Sequence, residues 1–292
     1  VSSSPSSPTV LKRWIAFELR KLRELADLSR ADAGRAVRGS EQGIGHIENG
    51  RSLPGPLQLD KLLDLYGVPE RSEFFQQLRA RAKKGKDWWI NFDFTSEVLP
   101  EYFKLFLGLE SCAASIESFD AQVVSGLMQT KPYTEAVIRG VEPEIPEEEV
   151  QRRVELRLAR QREVLGRAGQ PPLLWSVIHE SALRTPVGGV DVAREQLRHL
   201  LHLVEEPHIT VQVLPMSVGA HTGIEGAFIY LAFPPELEND PGTVYVDTRV
   251  KGYYYEQPEE IAVYRAAMRR LQAQACQPEE TPALISRIAK EL

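Results

Sequence analysis

Two serines eleven positions apart, Ser29 and Ser40, each stand before a helical run too short to persist alone. Isolated helices below about 12 residues are marginal in water, so both runs must be held by packing. Ser29 reads as a cap with Asp32, three residues on, as its capping-box partner. The run "RADAGRAV" then closes at Arg38-Gly39, where glycine suits a left-handed turn. Ser40 caps "EQGIGHIE", which stops at Asn49-Gly50. Upstream, "WIAFELRKLRELADLS" sets Ile15, Leu19, Leu22 and Leu25 on one helical face. Downstream, "LQLDKLLDLYGV" turns Leu59, Leu62, Leu63 and Tyr66 inward, and "ERSEFFQQLRARAKKGK" supplies a fifth helix. Residues 11–82 therefore predict a small all-α bundle, behind a disordered leader over 1–10 that has neither the basic start nor the apolar core of a secretory signal.

Two short helices joined by a turn of three or four residues containing glycine form a helix-turn-helix. The inner residue at such a crossing must be small, and Gly34 falls there. Ile44 and Ile47 fasten the second helix to the bundle and leave Glu41, Gln42, Gly45, His46 and Asn49 outward. Glycine costs a helix interior about 1 kcal/mol against alanine. Either Gly43 and Gly45 let this helix lie close to the floor of a DNA groove, or their positions contact nothing.

The stretch "LRKLRELADLSRADAGRAVRGSEQGIGHIENGRSLP" resembles the repressor-type, Xre-like helix-turn-helix regulators of phage and bacteria. It has their leucine-arginine first helix, "LS" before the second, serine at the cap of the third, then "I..IE.G" with a basic residue and proline. It departs from them in carrying Arg38 where glycine is usual. The resemblance implies that Ser40, Glu41, Gln42 and His46 read base edges in the major groove of double-stranded DNA. Gln42 suits adenine, Glu41 cytosine N4, and His46 guanine. Ser29, Arg30, Asn49 and Arg51 would hold phosphates, and Arg23 with Glu48 would form an internal ion pair. With few base-reading side chains, specificity would rest on a homodimer spanning two half-sites or on DNA shape.

Charge divides the chain at the same place. The net charge is −6, yet residues 1–90 hold 16 Lys and Arg against 11 Asp and Glu, while the remainder holds 19 against 30. A modestly basic first domain before an acidic second one is what results if only the first meets phosphate. "KKGKDWWINFDF" opens residues 83–99, a linker or interdomain joint. There Trp88 and Trp89 anchor the joint or, beside Lys83, Lys84 and Lys86, offer bases a stacking platform. Cys112 and Cys276 fall in helical-looking segments, which argues against a disulfide framework and fits a reducing cytoplasm. No run of about 18 apolar residues provides a membrane helix.

Residues 100–292 predict a larger α+β domain, making the whole an α+β multidomain chain with the helical bundle first. An apolar helical region spans 97–118, a helix runs from Tyr133 to Arg139, and "PEEEVQRRVELRLARQREVLGRAG" alternates Glu and Arg as a solvated face does. Four runs have β-type patterning: "PLLWSVIHES", "HITVQVLPM", "GAFIYLAFP" and "TVYVDTRV". The amphipathic helix "VAREQLRHLLHLVEE" lies between the first two, and two helices close the chain. The segment "PMSVGAHTGIEGAF" is either a mobile lid or a hairpin connection. His221 and Thr222 at its tip, with Tyr253 and Tyr255 of "VKGYYYEQ", make a candidate ligand or partner surface.

The runs "EVLPEYFKLFLGLESCAASIESFDAQVVSGLMQTKPYTEAVIRG", "HESALRTPVGG" and "YVDTRVKGYYYEQPEEI" look like the large C-terminal domain, of unsettled function, in actinomycete WhiJ-like regulators. That resemblance implies an antitoxin-like transcription regulator encoded beside a small partner protein. Catalytic signals are missing. His179-Glu180 lacks the second histidine of HExxH, no acidic ligand joins His199, His202, His208 and His221 at a metal-site spacing, and GxSxG and phosphate loops do not occur. Neither enzyme chemistry nor a metal or cofactor is expected. The leading reading is a sequence-specific DNA-binding regulator whose second domain senses a small-molecule effector or a small protein. The alternative is an antitoxin-like protein that binds a small basic partner and uses DNA binding for autoregulation.

Overall fold

The computed structural model describes residues 7–92, 99–167, 169–235, 237 and 240–292. The chain divides into two compact units between Asn91 and Phe92.

The first unit is helical: α1 (Pro8–Leu25), α2 (Arg30–Ala36), α3 (Glu41–Glu48), α4 (Pro56–Leu65) and α5 (Ser72–Lys84), then a 3-10 turn at Trp88–Asn91. Helix α1 starts ahead of the sequence expectation, because Pro8 suits a first turn and the Ser7 hydroxyl accepts from the Val10 amide. Residues 8–10 are thus helix rather than leader; residues 1–6 lie outside the described ones. The hydroxyls of Ser7 and Thr9 donate to the buried Asp87 carboxylate at 2.5 and 2.6 Å. This clasp returns the end of the unit to its beginning, so residues 83–91 belong to the bundle rather than to a linker; residues 93–98 of the expected joint are outside the described ones. Trp89 is buried and stands edge-on to Trp88, which removes its face as a platform for bases. Leu25, expected inward, is 75% exposed. The apolar stripe of α1 ends with Leu22, buried Arg23 follows, and Leu25 is the last residue before the chain turns away.

Each of the first four helices ends in the same left-handed turn, with the amide of the second residue past the cap reaching back five positions. The bonds are Leu28 N to Arg23 O, Gly39 N to Gly34 O, Arg51 N to His46 O and Val68 N to Leu63 O. The residues with positive φ are Asp27, Arg38, Gly50 and Gly67. The left-handed position between α2 and α3 therefore falls on Arg38, not on Gly39 as the sequence suggested. The helix-turn-helix geometry is kept, and arginine bears a conformation that its Cβ disfavours.

The second unit contains α6 (Glu101–Cys112), β1 (Ser115–Asp120), α7 (Lys131–Val141), α8 (Glu147–Val164), β2 (Leu173–His179), α9 (Glu180–Arg184) and α10 (Val190–Leu203). It continues with β3 (Ile209–Leu214), β4 (Phe228–Ala232), β5 (Thr243–Asp247), β6 (Gly252–Tyr255), α11 (Pro258–Gln274) and α12 (Thr281–Glu291). The strands form one mixed sheet ordered β3-β2-β1-β4-β5-β6. The pairs β1–β2 and β2–β3 are parallel and the others antiparallel. Phe119, Val177, Phe228 and Val244 of the sheet pack with Ile261, Met268 and Leu271 of α11 into one core. The unit is α+β, as expected.

Three expectations fail here. The apolar region 97–118 is not one helix: α6 stops at Cys112 and β1 follows, because a strand paired on both sides gains a ladder that local periodicity does not register. The segment 215–227 is not a hairpin connection, since β2 and β1 lie between β3 and β4. It crosses the C-terminal ends of those strands, given that Leu214 pairs with His179 and Phe228 with Phe119. The Glu/Arg-rich α8 is not merely a solvated face: Arg160 is buried and forms a two-pronged ion pair with the fully buried Glu110, at 2.5 and 2.7 Å.

Candidate nucleic-acid interface

Helix α3 is fixed from below. Ile44 and Ile47 are 1% and 4% exposed. Between the helices, Glu48 accepts Arg23 Nε at 2.6 Å and Arg23 Nη2 at 3.2 Å, and Arg30 Nε at 2.8 Å. Arg23 also donates Nη1 to the Leu28 carbonyl at 2.6 Å. One guanidinium therefore ties α1, the turn before α2 and α3 together. Its ion pair with Glu48 raises the Arg23 pKa further, so the charge is permanent. The resemblance-based pairing of Arg23 with Glu48 is present, and Arg30, expected on phosphate, shares the same carboxylate.

The crossing of α2 on α3 is as tight as Gly34 suggested. A Cβ at Gly34 would lie 2.9 Å from the Ser40 carbonyl carbon and 3.1 Å from the Glu41 nitrogen. Ser40 caps α3 through the Gly43 amide at 3.0 Å, and Ser29 caps α2 in a reciprocal box with Asp32. Gly45 answers no internal demand, whereas Gly43 sits close under the Ser40 cap. A Cβ at Gly45 would meet nothing within 4 Å, and one at Gly43 only the Ser40 hydroxyl at 3.3 Å.

What remains outward is a polar face. Ser40, Glu41, Gln42, Asn49 and Arg51 are exposed and His46 is half-buried. Among the described residues, the side chains of Glu41, Gln42, His46, Asn49 and Arg51 make no hydrogen bond within the protein, and neither does that of exposed Arg38 in the turn. Lys12 Nζ donates to the Arg51 carbonyl at 3.1 Å, adding a cation beside the end of α3. Such a row of unspent donors and acceptors on a rigid helix is what major-groove reading needs.

In the second unit the structure separates the other candidates. His221 and Thr222 line one cleft. Tyr255 instead packs on Tyr264, and Tyr253 lies under Lys251 Nζ at 4.6 Å. Three features there escaped the sequence reading. Asp120 ends β1 in a buried position, where burial pushes its pKa up to about 6 although Ser118 and Ser176 donate to it at 2.7 and 2.8 Å. Arg157, beside the Glu110–Arg160 pair, is held down at about 10 by burial and by the neighbouring cation. The rings of His179 and His221 lie 5.3 Å apart. No group of His, Cys, Asp and Glu able to hold a metal occurs among the described residues, and no described helix is long and apolar enough to cross a membrane.

The first unit is thus a helix-turn-helix module with an outward polar face on α3, followed in the chain by an α+β domain. Residues 14–74 match the family described as a helix-turn-helix domain. Residues 103–287 match the family described as a domain of unknown function (DUF5753), and the chain belongs to that family. No curated protein and no solved structure matched the chain.

Proposed function

We propose that this protein is a sequence-specific transcription regulator of the WhiJ-like, Xre-type kind, acting on double-stranded DNA as a cytoplasmic homodimer. Its second domain receives the controlling signal and carries out no catalysis. The observation that supports the reading most is the contrast on α3: Glu48 is spent inward on two arginines, while the side chains of Glu41, Gln42 and His46 have no hydrogen-bond partner among the described residues. The test is selection of genome fragments by the full-length protein at near-physiological salt, followed by variants on the recovered site. Gln42→Ala and His46→Ala are expected to relax preference at single base positions by about 1–3 kcal/mol. Arg51→Ala is expected to weaken all sequences alike and flatten the salt dependence by about one phosphate contact. Equal losses on every sequence from all three would overturn the assignment of α3. The acidic balance of residues 91–292, with 30 acidic against 19 basic side chains, supports a second reading, an antitoxin-like protein holding a small basic partner. Tight capture of a neighbouring gene product without an enriched DNA motif would put that reading first.

A further inference from the structure

Ligands of open sheets with parallel strands collect beyond the carboxyl ends of those strands. In this chain the segment 215–227 covers that edge. Thr222 Oγ1 donates to the Ala267 carbonyl at 3.0 Å and so fastens the segment to α11. Gly223 is pressed on the Phe119 ring, where a Cβ would approach to 2.3 Å. Beside these anchors opens a cleft of about 450 Å³, lined by Ala220, His221 and Thr222 of the segment and by Arg270, Ala273 and Gln274 at the end of α11. The cleft is shallow and open to solvent, with Ala220, Arg270, Ala273 and Gln274 exposed along its wall.

The polar groups in the cleft offer donors. His221 Nδ1 accepts the Gly223 amide at 3.1 Å, so the neutral ring carries its proton on Nε2. Burial, and then the neighbouring His179, hold the His221 pKa below the ordinary histidine value, which keeps the ring neutral at pH 7. The Thr222 hydroxyl is already spent on Ala267. Among the described residues, Arg270 has neither an ion-pair nor a hydrogen-bond partner. A guanidinium presents a planar fork that matches a carboxylate, and Ala220 and Ala273 leave the walls short and apolar. One permanent cation with one neutral N–H donor balances a single negative charge better than a double one.

We propose that this cleft binds a small carboxylic acid as its carboxylate, held by Arg270 and His221, with its apolar body against Ala220 and Ala273. The proposal rests on the sensing role read for the second domain and gives that role a ligand class. The test uses the full-length protein and three probes, benzoate, hexanoate and indole-3-acetate, each against its neutral amide and against inorganic phosphate. Binding is read from histidine ring signals by NMR, with that of His221 assigned through His221→Asn. At least one carboxylate is expected to shift the His221 signal saturably, its amide to bind at least 10-fold more weakly, and Arg270→Gln to lose at least 10-fold. Ala273→Trp, at an exposed position, fills the cleft and should abolish the shift. No shift with any of the three acids, an equal shift with phosphate, or unchanged binding by Arg270→Gln overturns the proposal. A carboxylate that binds here without altering DNA affinity upholds the site and removes its sensing role. DNA selection by a protein that binds none of the acids removes the site and leaves the regulator.

Discussion

Glu48 is the residue on which the seating of α3 turns, and its replacement gives a sharp prediction. Its side chain is 1% exposed and takes three hydrogen bonds, two from Arg23, whose side chain is 9% exposed, and one from Arg30, at 36%. Removing the carboxylate with Glu48→Leu leaves the buried Arg23 guanidinium only the Leu28 carbonyl and, at 3.4 Å, the half-exposed Glu24 carboxylate, a loss of up to about 3–5 kcal/mol for a buried pair broken on one side. Arg23→Met should cost less, because Glu48 keeps Arg30. The double variant Arg23→Met with Glu48→Leu should be more stable than Glu48→Leu alone, since no buried charge is left unmatched. Global melting mixes two units and is not two-state. The assay is therefore amide hydrogen exchange by mass spectrometry on peptides from α1 and α3. Glu48→Leu should speed exchange there by up to roughly 10²- to 10⁴-fold and leave the strands unchanged. It should also weaken DNA binding on every sequence, because the helix loses its seat rather than a base contact. If the two single losses simply add, with a coupling below about 0.5 kcal/mol, the pair does not hold α3 and the reasoning is refuted.

Asp120 predicts a pH dependence in the second unit. The native carboxyl releases its proton near pH 6 and an unfolded one near 3.9, so the native state binds more protons between these values. Stability should fall by about 3 kcal/mol as pH rises from about 4 to 6, and Asp120→Asn should flatten that slope in calorimetric melts. Gly34→Ala should destabilise the bundle by about 1–3 kcal/mol through overpacking, because the backbone of Ser40 has to move. Gly45→Ala should stabilise it by up to about 1 kcal/mol; a simultaneous rise in DNA affinity would contradict the close approach of α3 to the groove. Arg38→Gly relieves a left-handed non-glycine residue and should stabilise the bundle by about 1 kcal/mol, while removing an exposed cation beside α3. Its expected signature in amide-exchange and DNA-binding assays is a more stable bundle that binds all sequences less well.

The helical unit was legible in the sequence because its determinants are local. Ser29 and Ser40 announce their helices through side chains that reach three residues on, and Gly34 is small for a contact only a few residues away in the chain. The same locality misplaced the left-handed turn. Glycine is the cheapest occupant of positive φ, so Gly39 drew the assignment. The bond from Gly39 N to Gly34 O fixes the turn one residue earlier and leaves Arg38 to adopt it.

The second unit hid what depends on distant partners. A strand such as β1 is recognisable once β2 and β4 flank it, and its own six residues carry no strict alternation of burial. Arg160 has the spacing of a surface helix residue; its burial follows from Glu110, fifty positions away, and from the faces of Phe103 and Phe106 beneath its guanidinium at 5.8 and 5.0 Å. Arg270 shows the converse. It has an ordinary helical spacing and no partner among the described residues, and it becomes notable because a segment entering from β3 sets His221 against the same cleft. Composition treats these two arginines alike. Topology gives Arg160 an internal anion and leaves Arg270 exposed, available for the carboxylate proposed for the cleft.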